Sequence, residues 1–163
     1  MRILVMSDSH GRRDLVEKCV RQNSAAEVVI HLGDIVHDIE NMQFDFPDKM
    51  FINVSGNCDW GTETPASQCV TLEGVNIFLT HGHRQGVKYG LDTLMSIARQ
   101  NEAQICLYGH THVPYNKYHN GLYVMNPGSL SEPRDSSHAS FGLIDIVPQG
   151  IVTNIVKFDK YQF

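Results

Sequence analysis

No stretch of this sequence is apolar over a membrane-spanning length, and the opening MRILVMSDSHG turns polar after Met6, too early for an export signal. Paired cysteines are missing too. Cys19, Cys58, Cys69 and Cys106 form no CxxC unit and show no framework spacing, so they read as reduced thiols of a cytoplasmic protein. Basic runs are absent: 13 Lys and Arg face 18 Asp and Glu, and a net charge of −5 argues against non-specific nucleic-acid binding. Such a chain can still take an anionic substrate if cations line its site. With no internal repeat, low-complexity tract or linker, the 163 residues are expected to form one domain over 1–163. An apolar fraction of 42% against 19% charged residues excludes a disordered chain. Histidine, by contrast, is plentiful, with nine in the chain.

Hydrophobic patterning predicts an α/β chain with its helices early and its hairpins late. Strands are expected at 2–6 (RILVM), 27–32 (EVVIHL), 50–54 (MFINV) and 104–108 (QICLY). A helix fits 12–23, where Leu15, Val16, Cys19 and Val20 form one stripe; a second fits 88–100 on Leu91, Leu94, Met95 and Ala98. Residues 69–80 read as a hairpin about Gly74, and Asn120-Gly121 is a two-residue hairpin signal between YNKYH and LYVMN. Two strands flank Pro148-Gln149-Gly150 at the end. This pattern suits a mixed sheet, or two packed sheets with helices outside, better than a purely parallel one.

The chemistry-bearing residues share a position. Asp8 and His10 follow the first strand, Asp34 the second, Asn57 the third, His81 the 76–80 strand, and His110 and His112 the 104–108 strand. In open α/β sheets the rim beyond the strand C-termini is where ligands bind. In an extended LYGHTHVP segment, His110 and His112 would face one side, roughly 6.6 Å apart. Alone, that pair reads equally as a surface or core feature, and each DxH, GD or GN is common by chance. Together, two carboxylates, one amide and four imidazoles without a thiolate suit Mn²⁺, Fe or Zn²⁺. Seven ligands exceed one tetrahedral zinc, but suit two ions ~3.5–4 Å apart that share a carboxylate.

The motifs Asp8-Ser9-His10, Gly33-Asp34, Gly56-Asn57-Cys58-Asp59, His81-Gly82-His83 and Gly109-His110-Thr111-His112 resemble the calcineurin-like metallophosphoesterase superfamily. With Asn126-Pro127-Gly128-Ser129, they are similar to its branch of small single-domain phosphodiesterases, which also contains the scaffold subunit of the eukaryotic retromer coat. The resemblance implies a four-layer αββα sandwich of two mixed sheets. It implies two divalent cations per chain, Mn²⁺ foremost, with Zn²⁺, Fe, Ni²⁺ and Mg²⁺ as alternatives. Asp8, His10, Asp34 and His112 would hold the first; Asp34 would bridge to a second completed by Asn57, His81 and His110. The implied activity is hydrolysis of a small phosphoester, more readily a diester, by in-line attack of a metal-bridging hydroxide. A catalytically weak, metal-stabilised scaffold that binds protein partners is the alternative, and a homo-oligomer is compatible with either.

One position departs from the wider superfamily, where a histidine often follows the asparagine and protonates the leaving group. Here it is Cys58, a weaker donor by its ordinary pKa of about 8.5. Asp59 then reads as structural, and His83 becomes a candidate proton source facing the same cleft. Arg134, in SEPRD, is a candidate phosphate contact or a surface ion-pair partner. His31, within a strand, reads as a satisfied core histidine, while His37, His119 and His138 read as solvent-facing. Tyr115, Tyr118 and Tyr123 on the Asn-Gly hairpin read as a partner surface or as an ordinary half-buried ribbon.

Overall fold

The computed structural model describes residues 1–159. Ten strands form two five-stranded sheets. The first has the order β10-β9-β1-β2-β3, built from β1 (Arg2–Met6), β2 (Val28–His31), β3 (Met50–Asn53), β9 (Ser140–Val147) and β10 (Gly150–Lys157). The second has the order β4-β5-β6-β8-β7, from β4 (Ser67–Leu72), β5 (Val75–Thr80), β6 (Ile105–Leu107), β7 (Tyr115–His119) and β8 (Leu122–Asn126). Strands β1, β2 and β3 are mutually parallel, as are β5, β6 and β8, while β1–β9, β9–β10, β4–β5 and β7–β8 pair antiparallel.

The short apolar runs make sense once both faces of each sheet are covered. Ile3 and Val5 of β1, and Ile30 of β2, point into a core shared with Ile77, Leu79 and Ile105 of the other sheet. The alternate residues Leu4, Met6 and Val29 pack outward on α1 (Arg13–Gln22) and α2 (Met42–Asp45). Phe78 and Cys106 pack outward on α3 (Asp92–Gln100) through Leu94 and Ala98. A strand buried on both faces reads as a continuous apolar run rather than an alternating one. The layers are therefore helix, sheet, sheet, helix, the sandwich that the resemblance implies. At one edge the sheets are tied by Asn116 of β7 and Thr153 of β10, which exchange two hydrogen bonds of 2.9 Å.

The expected Asn-Gly hairpin forms, with Asn120 and Gly121 at φ +46° and +92°, and Glu73-Gly74 makes the same left-handed turn between β4 and β5. Two details differ from the sequence reading. The second long helix starts at Asp92 rather than 88, because Gly86 and Gly90 take φ of +66° and +151° and interrupt the segment, leaving only a 3-10 turn at His83–Gln85. The stretch after β2 is more ordered than expected, with a 3-10 turn over Val36–Asp38 and the single turn of α2 before Phe46-Pro47. No helix among the described residues is long and apolar enough to cross a membrane.

Candidate metal centre

Because the parallel strands run the same way within each sheet, the segments leaving β1, β2, β3, β5, β6 and β8 gather into one cluster of loops. Backbone bonds stitch them together: Asp8 N–H donates to Gly33 O (3.1 Å), His10 N–H to Asp34 O (3.5 Å) and Gly109 N–H to His81 O (3.0 Å). Five of the seven expected ligands lie in left-handed backbone, at φ +54° (Asp8), +48° (His10), +59° (Asp34), +69° (His110) and +60° (His112). Non-glycine residues rarely adopt this region, and such strain concentrates at functional sites. It also corrects the extended reading of LYGHTHVP. Strand β6 ends at Leu107, and Gly109 packs so tightly on Ser7 and Asp8 that a Cβ there would run into Ser7 Oγ. The chain must leave the sheet before His110, so strand alternation cannot orient the two imidazoles.

Their ligand atoms nonetheless converge. Asp8, His10, Asp34 and His112 form one group, and Asp34, His81 and His110 another, with the donor atoms of each group within 4.8 Å of one another. His112 Nε2 lies 3.2 Å from Asp8 Oδ1 and 3.2 Å from His10 Nε2; His81 Nε2 lies 3.4 Å from Asp34 Oδ2. Backbone carbonyls fix two of the rings: His81 Nδ1–H donates to Leu32 O and His112 Nδ1–H to Glu132 O, both at 2.7 Å. That leaves each Nε2 lone pair facing the cluster, as ligating histidines require. Asp8 Oδ1 and His81 Nε2 are buried without a hydrogen-bond partner. Buried polar atoms left unpaired are costly, and a cation among these N and O donors would satisfy both. The residues fit a divalent metal.

Electrostatics follow from this crowding. Burial opposes the charge on Asp34, yet His81 and the Cys58 N–H (2.9 Å to Oδ1) outweigh it and hold the carboxyl far below its ordinary range. Asp8 is likewise penalised by burial but is pulled down by His112, His81 and the Ser7 hydroxyl. The reciprocal effect raises His81 and His112, whose carboxylate neighbours overcome burial. Burial, then the adjacent His81 and the Lys88 ammonium, push His110 down to about 4.

Around these groups lies a second set that the sequence reading largely missed. The Asp59 carboxylate accepts four backbone N–H bonds, from Asp34, Ile35, Val36 and Gly56, at 2.7–3.0 Å. Its structural reading holds, but the structure it supports is the Asp34 loop. Ser7 donates to Asp8 Oδ2 (2.6 Å), which also accepts from His110 N–H (3.1 Å). Ser129 and Ser131 both donate to the Asp8 carbonyl (2.7 and 3.0 Å), and Asn126 clasps Gly109 O and Thr111 Oγ1 (2.8 and 3.0 Å). The available signal was the Asn126-Pro127-Gly128-Ser129 stretch closing a largely buried strand. His31 is the satisfied core histidine expected. It accepts from Gly33 N–H and donates to Ser9 Oγ (2.9 Å), which donates to Asp38 (2.6 Å).

The remaining candidates sit at the rim. Asn57 is exposed, and its amide donates to Cys58 Sγ at 3.5 Å. Partial burial, then the Asp34 charge, raise the Cys58 thiol to about 11, so it stays protonated at neutral pH. His83 does face the cluster, with ring centroids 5.5 Å from His81 and 6.0 Å from His110, and its Nδ1 is buried and unpartnered. Arg134 is exposed and touches the site through its backbone N–H, which donates to His112 O (3.2 Å). His37 and His138 are exposed as expected, but His119 is half-buried, with its Nε2 2.9 Å from the Tyr115 hydroxyl. All four cysteines are free.

Residues 1–149, which include every candidate ligand, match the calcineurin-like phosphoesterase superfamily domain. Phosphodiesterase YfcE of Escherichia coli K12 is 30% identical over 168 residues, covering 89% of this chain and 88% of the relative. Among solved structures, a Streptococcus pneumoniae protein described as a predicted phosphoesterase aligns with a TM-score of 0.79 at 27% identity, covering 95% of this chain and 97% of that one. A single mutant of Vps29 from Entamoeba histolytica shares the fold at 22% identity, with a TM-score of 0.71 and coverage of 98% and 100%. On its motifs, its paired sheets and its loop-borne donor cluster alike, the chain belongs to the calcineurin-like phosphoesterase superfamily.

Proposed function

We propose that this protein is a two-metal phosphodiesterase of the cytoplasm. Asp8, His10, Asp34 and His112 hold one divalent cation, and Asp34, Asn57, His81 and His110 hold a second, with Mn²⁺ the first choice. The observation that carries this reading is the sharing of Asp34 by two donor groups, with Asp8 Oδ1 and His81 Nε2 buried and unpaired among them. Divalent cations bound there would acidify a shared water to a nucleophile near neutral pH and offset charge on the phosphate oxygens.

The chain's own contribution is to hold the donors still. Leu32 O and Glu132 O lock two imidazoles in the ligating tautomer, and Asp59 fixes the turn that presents Asp34. Proton supply is the weaker part. Cys58 keeps its proton, and His83, half-buried beside His81, is the other group placed to reach a leaving oxygen. This favours diesters with good leaving groups over unactivated monoesters, since general-acid help is worth ~10²–10⁴-fold. Arg134 is assigned as an auxiliary phosphate contact at the mouth.

The test is to strip the protein of metal and assay bis(p-nitrophenyl) phosphate and p-nitrophenyl phosphate with Mn²⁺, Zn²⁺, Ni²⁺ or Mg²⁺ restored. Metal-dependent hydrolysis favouring the diester, with two ions bound per chain, is expected. Two bound ions without hydrolysis of either ester would remove the enzyme reading and leave the scaffold.

A further inference from the structure

Next to Thr111 opens a cleft of about 460 Å³ that none of the seven expected ligands lines. Its size falls within the ~300–1,000 Å³ typical of small-molecule sites. Two of the ligand-bearing segments build it. Val87 and Leu91 come from the segment after β5, and Val87 packs directly on Gly82, between His81 and His83. Tyr108 and Val113 come from the segment after β6, with Tyr115 at the start of β7. Thr111, the residue between His110 and His112, is part of the same lining, so the cleft adjoins the metal centre.

The chemistry of these walls is selective. The Tyr108 and Tyr115 rings stand 6.3 Å apart at 57°, and a third ring entering between aliphatic and aromatic surfaces would extend that tilted arrangement. The two charged lining residues, Lys88 and Asp135, are both exposed and of opposite sign. Lys88 directly follows Val87, the residue that packs on Gly82 between His81 and His83, and so stands on a ligand-bearing segment where it complements a phosphate. Asp135 disfavours a second anionic group in the same cleft.

Resting on the phosphodiesterase reading, we propose that this cleft holds one ester substituent of the substrate, an uncharged planar aromatic group of aryl or nucleobase size. The enzyme is thereby selective for aromatic over small alkyl phosphoesters. Selectivity resides in Tyr115 and Val113, apart from the residues that hold the cations.

Binding tests this without turnover. The Mn²⁺-loaded full chain is titrated calorimetrically with phenylphosphonate and with methylphosphonate, neither of which it can hydrolyse as an ester. Burial of the ring is expected to give phenylphosphonate at least about a tenfold advantage. Tyr115→Ala and, separately, Val113→Ala should each reduce that ratio to about threefold or less, with melting curves showing both variants folded. Equal affinity for the two phosphonates, binding of neither, or a preference that survives in a folded variant would each overturn the proposal. Hydrolysis of bis(p-nitrophenyl) phosphate is measured on the same samples. If hydrolysis fails while the aryl preference holds and is lost in the variants, the phosphodiesterase reading falls and the cleft stands. If hydrolysis proceeds and the preference is missing, only the cleft falls.

Discussion

The floor and the rim of the donor cluster are built to different standards. On the floor, Asp8, Asp34, His81 and His112 are buried, and each is oriented by at least one bond from a neighbouring loop. At the rim, Asn57 and Arg134 are exposed, while Cys58 and His83 are half-buried. Two cations held close together tolerate little error in their ligands, so the donors must be ordered before metal arrives. A proton donor or phosphate contact can settle when substrate binds. The contrast predicts that damage to the floor destroys function, whereas changes at the rim, the proposed ligand Asn57 excepted, only tune it.

The largest effect is expected from Asp34→Asn. Asp34 belongs to both donor groups, and an amide keeps its shape while removing the charge that His81 and the proposed second cation need. Activity on bis(p-nitrophenyl) phosphate should fall by at least ~100-fold, the upper end of what loss of an outer partner costs. Metal analysis should find fewer than two ions per chain. A variant keeping more than a tenth of wild-type activity would show that another group bridges.

Asp59→Asn comes next, because the Asp59 carboxylate accepts four backbone N–H bonds around Asp34. An amide there supplies one acceptor oxygen and a clashing NH₂, so the Asp34 turn loosens. Metal affinity is expected to drop ~10–100-fold, the usual range for residues that orient ligands. Unchanged affinity by calorimetry would mean that the turn is fixed by its neighbours alone.

Acidity separates floor from rim in a third way. His81 and His112 have raised pKa values in the metal-free protein, so their stabilising pairs with Asp8 and Asp34 are fully present below about 6.5 and are lost as pH rises through the raised values. The two carboxylates are depressed, so their share is present above about 3.9 and lost as pH falls toward their lowered values. Metal binding needs the same imidazoles neutral, so protons compete with it. The rise in melting temperature on adding Mn²⁺ should therefore shrink from pH 8 to pH 6. An equal rise at both would indicate that these histidines are not ligands.

Much of the floor was legible in the sequence because strand ends leave a local signature. Asp8, Asp34, His81 and the His110–His112 pair each follow a short apolar run, and parallel strands bring such ends to one rim. The layering was legible for a related reason: runs such as ILVM (residues 3–6) and ICL, apolar at every position, need cover on both faces. The orientation of those donors was not legible. It depends on left-handed φ at His110 and His112, forced by the close pass of Gly109 over Ser7, a contact across about a hundred residues of chain. Asp59 and Asn126 were obscure for the same reason. Most of their partners are backbone atoms of distant loops, and no spacing in the sequence encodes them.

Cys58→His should give the smallest change, and its direction matters more than its size. The thiol stays protonated up to about 11 and is a poor donor to a departing alkoxide, whereas an imidazolium at the same place would be a good one. Hydrolysis of diesters with activated leaving groups needs little help and should barely move. Rates on monoesters and on alkyl leaving groups should rise by about tenfold, below the ~10²–10⁴-fold of a fully evolved acid because nothing in the loop positions a ring at residue 58. A gain confined to poor leaving groups would show that the rim limits turnover and that the floor is already sufficient. Equal rates on all substrates would place the proton source elsewhere, with His83 next to be replaced; a loss on all of them would mean that Cys58 belongs to the floor, as a support of Asp34.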